Sequence, residues 1–153
     1  MPIKKILVYG YGNPGRQDDG VGIECAELIE DWAKAEGHDE VSTDQNYQLN
    51  IEDAHKISTF DLVVFTDASI AEVEEYKLEE IVPDLKTDFS MHSVTPAFVV
   101  GLCKDIFGKH PQAYQLHIKA FEFEFMQKMT DDANKNLQFA FTFLKSFISK
   151  SIK

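Results

Sequence analysis

A three-layer α/β/α sandwich around a five-stranded, mostly parallel (mixed) sheet is the fold class this sequence predicts, and three observations predict it. Apolar, β-branched runs alternate with helical stripes along the whole chain. Two of the runs are continuous in apolar residues, as suits strands covered on both faces. Turn residues end the runs at strand length. Such alternation builds βαβ units, and the binding crevice of the resulting sheet lies outside the carboxyl ends of its strands.

The elements follow in chain order. "IKKILVYG" (3–10) predicts a buried strand that breaks into glycines. Val21, Cys25, Leu28, Ile29 and Trp32 then recur on one helical face, with Glu24, Glu27, Glu30 and Asp31 opposite. "EVSTDQNYQL" (40–49) predicts a weaker strand, and His55 falls in a short helix. "TFDLVVFTDAS" (59–69) predicts a second buried strand, and "YKLEEIVP" (76–83) an edge strand ended by Pro83. Phe98, Val99, Leu102, Cys103 and Ile106 form a helical stripe before Gly108, a helix stop. "AYQLHIKAF" (113–121) predicts the last strand. Leu137, Phe141, Leu144 and Ile148 form the last stripe, with Lys145, Lys150 and Lys153 toward the negative end of the helix dipole.

A chain of 153 residues without repeats or long linkers is expected to form a single domain, 1–153. Its 44% hydrophobic and 12% aromatic content is that of a folded protein. The 26 Asp plus Glu against 15 Lys plus Arg give a net charge of -11, which repels phosphate backbones and anionic lipid. No nucleic-acid partner and no membrane partner are therefore expected. The apolar run at the start is too short for a signal-peptide core, and no segment reaches the ~20 apolar residues of a membrane span, so a cytoplasmic location is expected. Cys25 and Cys103 match no metal-binding or redox spacing and fall on apolar stripes, which makes them small buried hydrophobes.

Gly10, Gly12 and Gly15 satisfy GxGxxG after a strand. In a dinucleotide site such glycines open directly into a helix whose free N–H groups face the pyrophosphate. Here Pro14 interrupts the loop, and Asp18 and Asp19 precede the helical stripe, where their charge repels a phosphate. There is no GK[ST] either. A nucleotide-binding α/β domain is thus the weaker alternative. "GYGNPG" also resembles the opening of bacterial peptidyl-tRNA hydrolase, but the continuation "RQDDGVG" lacks that family's histidine segment.

Three ordered blocks resemble the hydrogenase maturation endopeptidases. "GYGN" followed by "DDGVG" and an acidic amphipathic helix is similar to that family's GxGN and D(D/E)GxG opening; "DLVVFTDAS" resembles its strand ending in DA. "SMHSVTPAFVVGLCKDIFGKHPQAYQLHIKAFEFE" resembles its third block of histidine, helix, strand and late FEF. The likeness spans about residues 3–125 and implies a phosphorylase/hydrolase-like arrangement. It also implies an activity: nickel-dependent removal of the C-terminal peptide from the nickel–iron hydrogenase large-subunit precursor after nickel insertion. That precursor is then the partner, and nickel, recognised within it, the metal; zinc or another divalent ion would suit the same donors. The late "FEFEFMQKMTDDANKN" departs from the family's usual glycine-glutamate and leucine-serine-proline, so Glu122 and Glu124 are assigned no substrate contact.

The family's metal positions map onto Asp19, Asp67 and His92, which the resemblance makes both ligands and catalytic residues. Their chemistry is coherent: two carboxylate oxygens and an imidazole nitrogen suit a borderline divalent ion and leave positions for water or substrate. Asp19 follows the first strand and Asp67 the central one, so in a parallel sheet both emerge at one edge. Each has a plainer role to set beside this: helix cap for Asp19, loop acid for Asp67, helix-start partner for His92. Asp18 is the better cap of the two aspartates, which leaves Asp19 available. Gly10, Gly12 and Gly15 then allow tight turns and the close approach of another chain, and Asn13 holds a turn through its side chain. His38 and His110 lie in polar turns and His117 on a strand as a partly buried residue. Glu72, Glu74, Glu75, Glu79 and Glu80 read as a solvated face. A non-catalytic metal- or partner-binding protein on the same fold is the principal alternative to the enzyme.

Overall fold

Residue parity along the central strands decides which helical layer each side chain meets. The computed structural model describes residues 5–86 and 94–152. Among these the chain forms β1 (Ile6–Tyr11), a 3-10 turn (Gln17–Gly20), α1 (Val21–Glu36), β2 (Val41–Asn46), α2 (Asp53–Ile57), β3 (Leu62–Ser69), β4 (Tyr76–Glu80), α3 (Pro96–Phe107), β5 (Gln112–Lys119) and α4 (Asp131–Ile152). Even-numbered Ile6, Val8, Leu62, Val64, Leu116 and Ile118 pack with α1 and α4, through Cys25, Ile29, Leu137 and Leu144. Odd-numbered Leu7, Tyr9, Val63, Phe65 and Ala113 pack with α2 and α3, through Ala54, Ile57, Val99 and Cys103. Each fully buried Leu, Ile, Val or Phe contributes roughly 1.5–3 kcal/mol of transfer free energy. The continuous apolar runs have this cause: β1 and β3 are covered on both sides.

The sheet runs β2-β1-β3-β5-β4. β1 pairs in parallel with β2 and β3, β3 pairs in parallel with β5, and β4 alone is antiparallel, at the edge beyond β5. The expected mixed five-stranded α/β sheet is the fold observed. β4 stops at Glu80, short of the expected Pro83, although Ile81 N still donates to Ala113 O at 2.8 Å. In α3 the inward face runs through Pro96, Val99, Val100 and Cys103. The expected stripe is therefore rotated: Ile106 lies at the helix margin and is 61% exposed. Gly108, at φ 74°, ends α3 in the left-handed conformation that favours glycine. No helix among the described residues is long and apolar enough to cross a membrane.

Two features of this arrangement set the position of the site. The chain leaves β1 toward β2 on one side and returns as β3 on the other, so the order reverses between β1 and β3, and a crevice opens beyond their carboxyl ends. The start of α1 is seated directly over that pair. A Cβ on Gly10 would lie 2.4 Å from Gly22 O, and one on Gly22 would lie 2.3 Å from Thr66 O. Thr66 Oγ1 donates to Gly22 O at 2.7 Å, a buried bond that pins the helix to β3. The close approach permitted by Gly10 is thus filled by the chain's own helix, which corrects the expectation of another chain there.

Candidate functional site

The loop after β1 is held by its own polar groups. Gly12 has φ +138°, and a Cβ there would lie 2.2 Å from Asp19 O, so no side chain fits. Asn13 Oδ1 accepts from Gly15 N at 2.8 Å, the side-chain turn that its position suggests. Asn13 N in turn donates to Asp19 Oδ2 at 2.8 Å. Asp19 is therefore oriented by the loop that precedes it.

Asp18 has a different task from the cap expected of it. The residue before α1 is Gly20, and no side chain caps the helix. Asp18 is buried and its carboxylate accepts from Phe121 N (2.9 Å), Glu122 N (3.0 Å), Thr130 N (2.8 Å) and Thr130 Oγ1 (2.8 Å). Its own N–H donates to Glu122 O at 3.1 Å. Burial pushes its pKa up, but these bonds outweigh burial and hold it below the usual carboxylate range. The glycine loop and the segment after β5 are thereby tied into one unit. Glu124 N donates to Gln17 Oε1 at 3.1 Å, and the Arg16 guanidinium lies 5.8 Å from the Phe123 ring and 5.5 Å from the Phe125 ring. Glu122 and Glu124 serve this junction.

Asp67 continues the odd-numbered face of β3 past Phe65 and is half-buried. Its carboxyl is pushed up to about 7, by burial first and by the negative charge of Asp19; hydrogen bonds from the Tyr11 hydroxyl and Ala68 N pull the other way. Tyr11 and Gln115 continue the same face on β1 and β5, and Gln115 Nε2 donates to the Tyr11 hydroxyl at 3.0 Å. Burial, and then the charge of Asp67, hold the Tyr11 phenol far above its ordinary range. A cleft of about 520 Å³ opens over these groups. Asp19, Asp67, Tyr11, Gly12 and Gln115 line it, with Tyr47 and Leu49 on one wall and Ile81, Val82, Val94 and Pro96 on the other. Thr95, also on the rim, caps α3 through Phe98 N at 3.1 Å. Tyr11 and Gln115 did not stand out as site residues in the sequence; the only signal is strand parity carried past the apolar run.

His92 lies outside the described residues. Asp19 and Asp67 are brought to one cleft; among the described residues no group of three or more His, Cys, Asp or Glu side chains is arranged to hold a metal. The remaining histidines have structural partners: His38 meets Trp32 (4.8 Å between rings), His55 meets Phe107 (5.8 Å), and His110 Nδ1 lies 2.7 Å from Pro111 O. His117 is partly buried and its Nε2 lies 3.4 Å from Glu79 Oε1. Glu79 and Glu80 are exposed but line the cleft, so the acidic run is more than a solvated face. Both cysteines are free and buried. Burial pushes the Cys25 thiol up to about 12, leaving it no thiolate character at neutral pH.

No protein-family model and no curated protein matches the sequence. Solved structures are similar. A NiFe hydrogenase maturation protease HycI from Thermococcus kodakarensis aligns over 96% of this chain and 94% of its own, at 20% identity and a TM-score of 0.75. The hydrogenase maturating endopeptidase HybD from Escherichia coli aligns over 96% and 93%, at 16% identity and a TM-score of 0.72. A hydrogenase 2 maturation peptidase from a Thaumarchaeota archaeon aligns over 95% and 99%, at 16% identity and a TM-score of 0.69. The chain has the fold of the hydrogenase maturation proteases.

Proposed function

We propose that this chain is a processing endopeptidase that removes the C-terminal extension of a nickel–iron hydrogenase large-subunit precursor once nickel is in place. Solved proteins with this fold are named as a NiFe hydrogenase maturation protease and a hydrogenase maturating endopeptidase. One observation from the chain itself carries the reading. Asp19 and Asp67, delivered from separate strand ends, line a single cleft at the switch point, and the charge on Asp19 opposes ionisation of Asp67. Two carboxylates held together against their repulsion are a cost to the fold that a cation reverses, and such costs gather at functional sites.

In this reading Asp19, Asp67 and His92 engage the nickel of the precursor, and zinc or another divalent ion suits the same donors. Held by these residues, the cation would supply Lewis-acid chemistry, polarising the scissile carbonyl and acidifying an attacking water. Water oxygen adds to the carbonyl carbon while a carboxylate of the pair takes its proton. The C–N bond then breaks as that proton passes to the departing amine, leaving a shortened subunit and a free tail. Gly12 and Asn13 hold Asp19 for this step through the loop bond to its Oδ2. A cysteine nucleophile is not available, since both thiols are buried.

The test is direct. Nickel-loaded and nickel-free precursor are incubated with wild type and with Asp19→Ala, Asp67→Ala and His92→Ala, and tail removal is followed by mass. Cleavage of loaded precursor by wild type alone is expected. Wild-type binding of loaded precursor without cleavage rejects the peptidase and leaves a non-catalytic binding protein on the same fold.

A further inference from the structure

We propose that Tyr11 is a positioning residue whose hydroxyl, fixed by Gln115, sets the orientation of the Asp67 carboxylate in the cleft. The use made of Asp67 rests on the peptidase reading above. The three residues stand on neighbouring strands, β1, β3 and β5, and on the same face of the sheet.

The direction of the hydrogen bonds follows from what each group can do. In its ionised form the Asp67 carboxylate only accepts, so in that form the Tyr11 hydroxyl gives its hydrogen to Asp67. The phenol oxygen can then only accept from its other neighbour, which is the role that Gln115 Nε2 fills at 3.0 Å. With Asp67 ionised, each member of the chain Gln115–Tyr11–Asp67 has one assignment. A hydroxyl free to rotate would let the carboxylate turn as well; one locked by an amide does not. Tyr11 and Ala68 N together hold the carboxylate where it lines the cleft. Partners of this kind, standing behind a metal ligand, typically change affinity or activity about 10–100-fold when removed.

The experiment uses the full chain. Ni²⁺ alone is titrated calorimetrically into wild type, Tyr11→Phe, Gln115→Leu and the double variant; thermal unfolding and kcat and KM on nickel-loaded precursor are measured alongside. Tyr11→Phe is expected to weaken Ni²⁺ binding by roughly 10–100-fold and to lower kcat to a similar degree with KM little changed. Gln115→Leu is expected to lose less, and the double variant no more than Tyr11→Phe, because Gln115 acts only through Tyr11. Where free Ni²⁺ binds too weakly to fit, the kcat ratios carry the same comparison. A Tyr–Gln pair with only a structural role would lower the unfolding temperature and leave the affinities and kcat equal. Equality of Tyr11→Phe with an active wild type overturns this inference alone, as do losses that simply add in the double variant. A wild type that neither binds Ni²⁺ nor cleaves removes the peptidase reading and this inference with it.

Discussion

Asp18 shows how one side chain can hold a site without touching what binds there. Its two oxygens, buried themselves, take three backbone N–H groups and a hydroxyl from Phe121, Glu122 and Thr130 in part-buried bonds. Asp18→Ala leaves those donors unpaired, at about 1–3 kcal/mol for each that water cannot reach. A total loss of about 3–5 kcal/mol is expected, read as a fall in the urea midpoint with little change in slope. The pH dependence has a definite sign. The folded pKa of Asp18 lies below its unfolded value, so its contribution is present above the ordinary carboxylate range and is lost as pH falls through the folded pKa. Wild type should therefore lose stability steeply on acidification. Asp18→Ala, already less stable, should show a shallower acid slope in the same urea titrations.

The first helix is the element on which the site depends most, and its seating is a matter of missing atoms. Gly10, Gly22 and Thr66 bring α1 onto β1 and β3 at backbone contact. In Gly22→Ala the new methyl meets Thr66 O, a backbone atom that cannot swing aside, so α1 must lift. Overpacking of this kind costs about 1–3 kcal/mol or more, and Asp19, just before the helix, moves with it. Lower thermal stability together with lost precursor cleavage is the expected outcome; a variant with wild-type values for both would show that the contact relaxes freely. Local pattern made much of this legible. The apolar runs of β1 and β3 and the stripe of α1 follow from periodicity, and the placing of Asp19 and Asp67 at one sheet edge follows from their positions at strand ends. What periodicity does not encode is long-range pairing. Asp18 read as a cap because its partners at 121–130 are distant in the chain, and Tyr11 and Gln115 became a pair only once β5 was known to lie beyond β3. The rotation of α3 was hidden by an apolar content too high to define a single face.

At the scale of the whole molecule, the cleft carries a conflict between stability and use. The chain already bears a net charge of -11, and it holds Asp67 half-buried next to Asp19. The Asp67 carboxyl is raised from an ordinary 3.8 to about 7, so between those values the folded protein binds more protons than the unfolded one. Its contribution is full below the unfolded pKa and disappears as pH rises through about 7, opposite in sign to that of Asp18. Asp67→Asn keeps the size of the side chain and removes the charge. It should therefore nearly match wild type at pH about 4 and be the more stable at pH about 8, by an amount on the order of a few kcal/mol reduced by the screening of a partly exposed group. A divalent cation that binds the folded state should raise the unfolding temperature of wild type at the higher pH and leave that of Asp67→Asn nearly unchanged. The same substitution should abolish precursor cleavage. Stability gained where activity is lost is the signature of residues kept for function against the interest of the fold. Thermal unfolding at the two pH values, with and without Ni²⁺, supplies the comparison. A variant that is less stable than wild type at pH about 8 would instead make Asp67 part of the fold's support and move the chemistry elsewhere in the cleft.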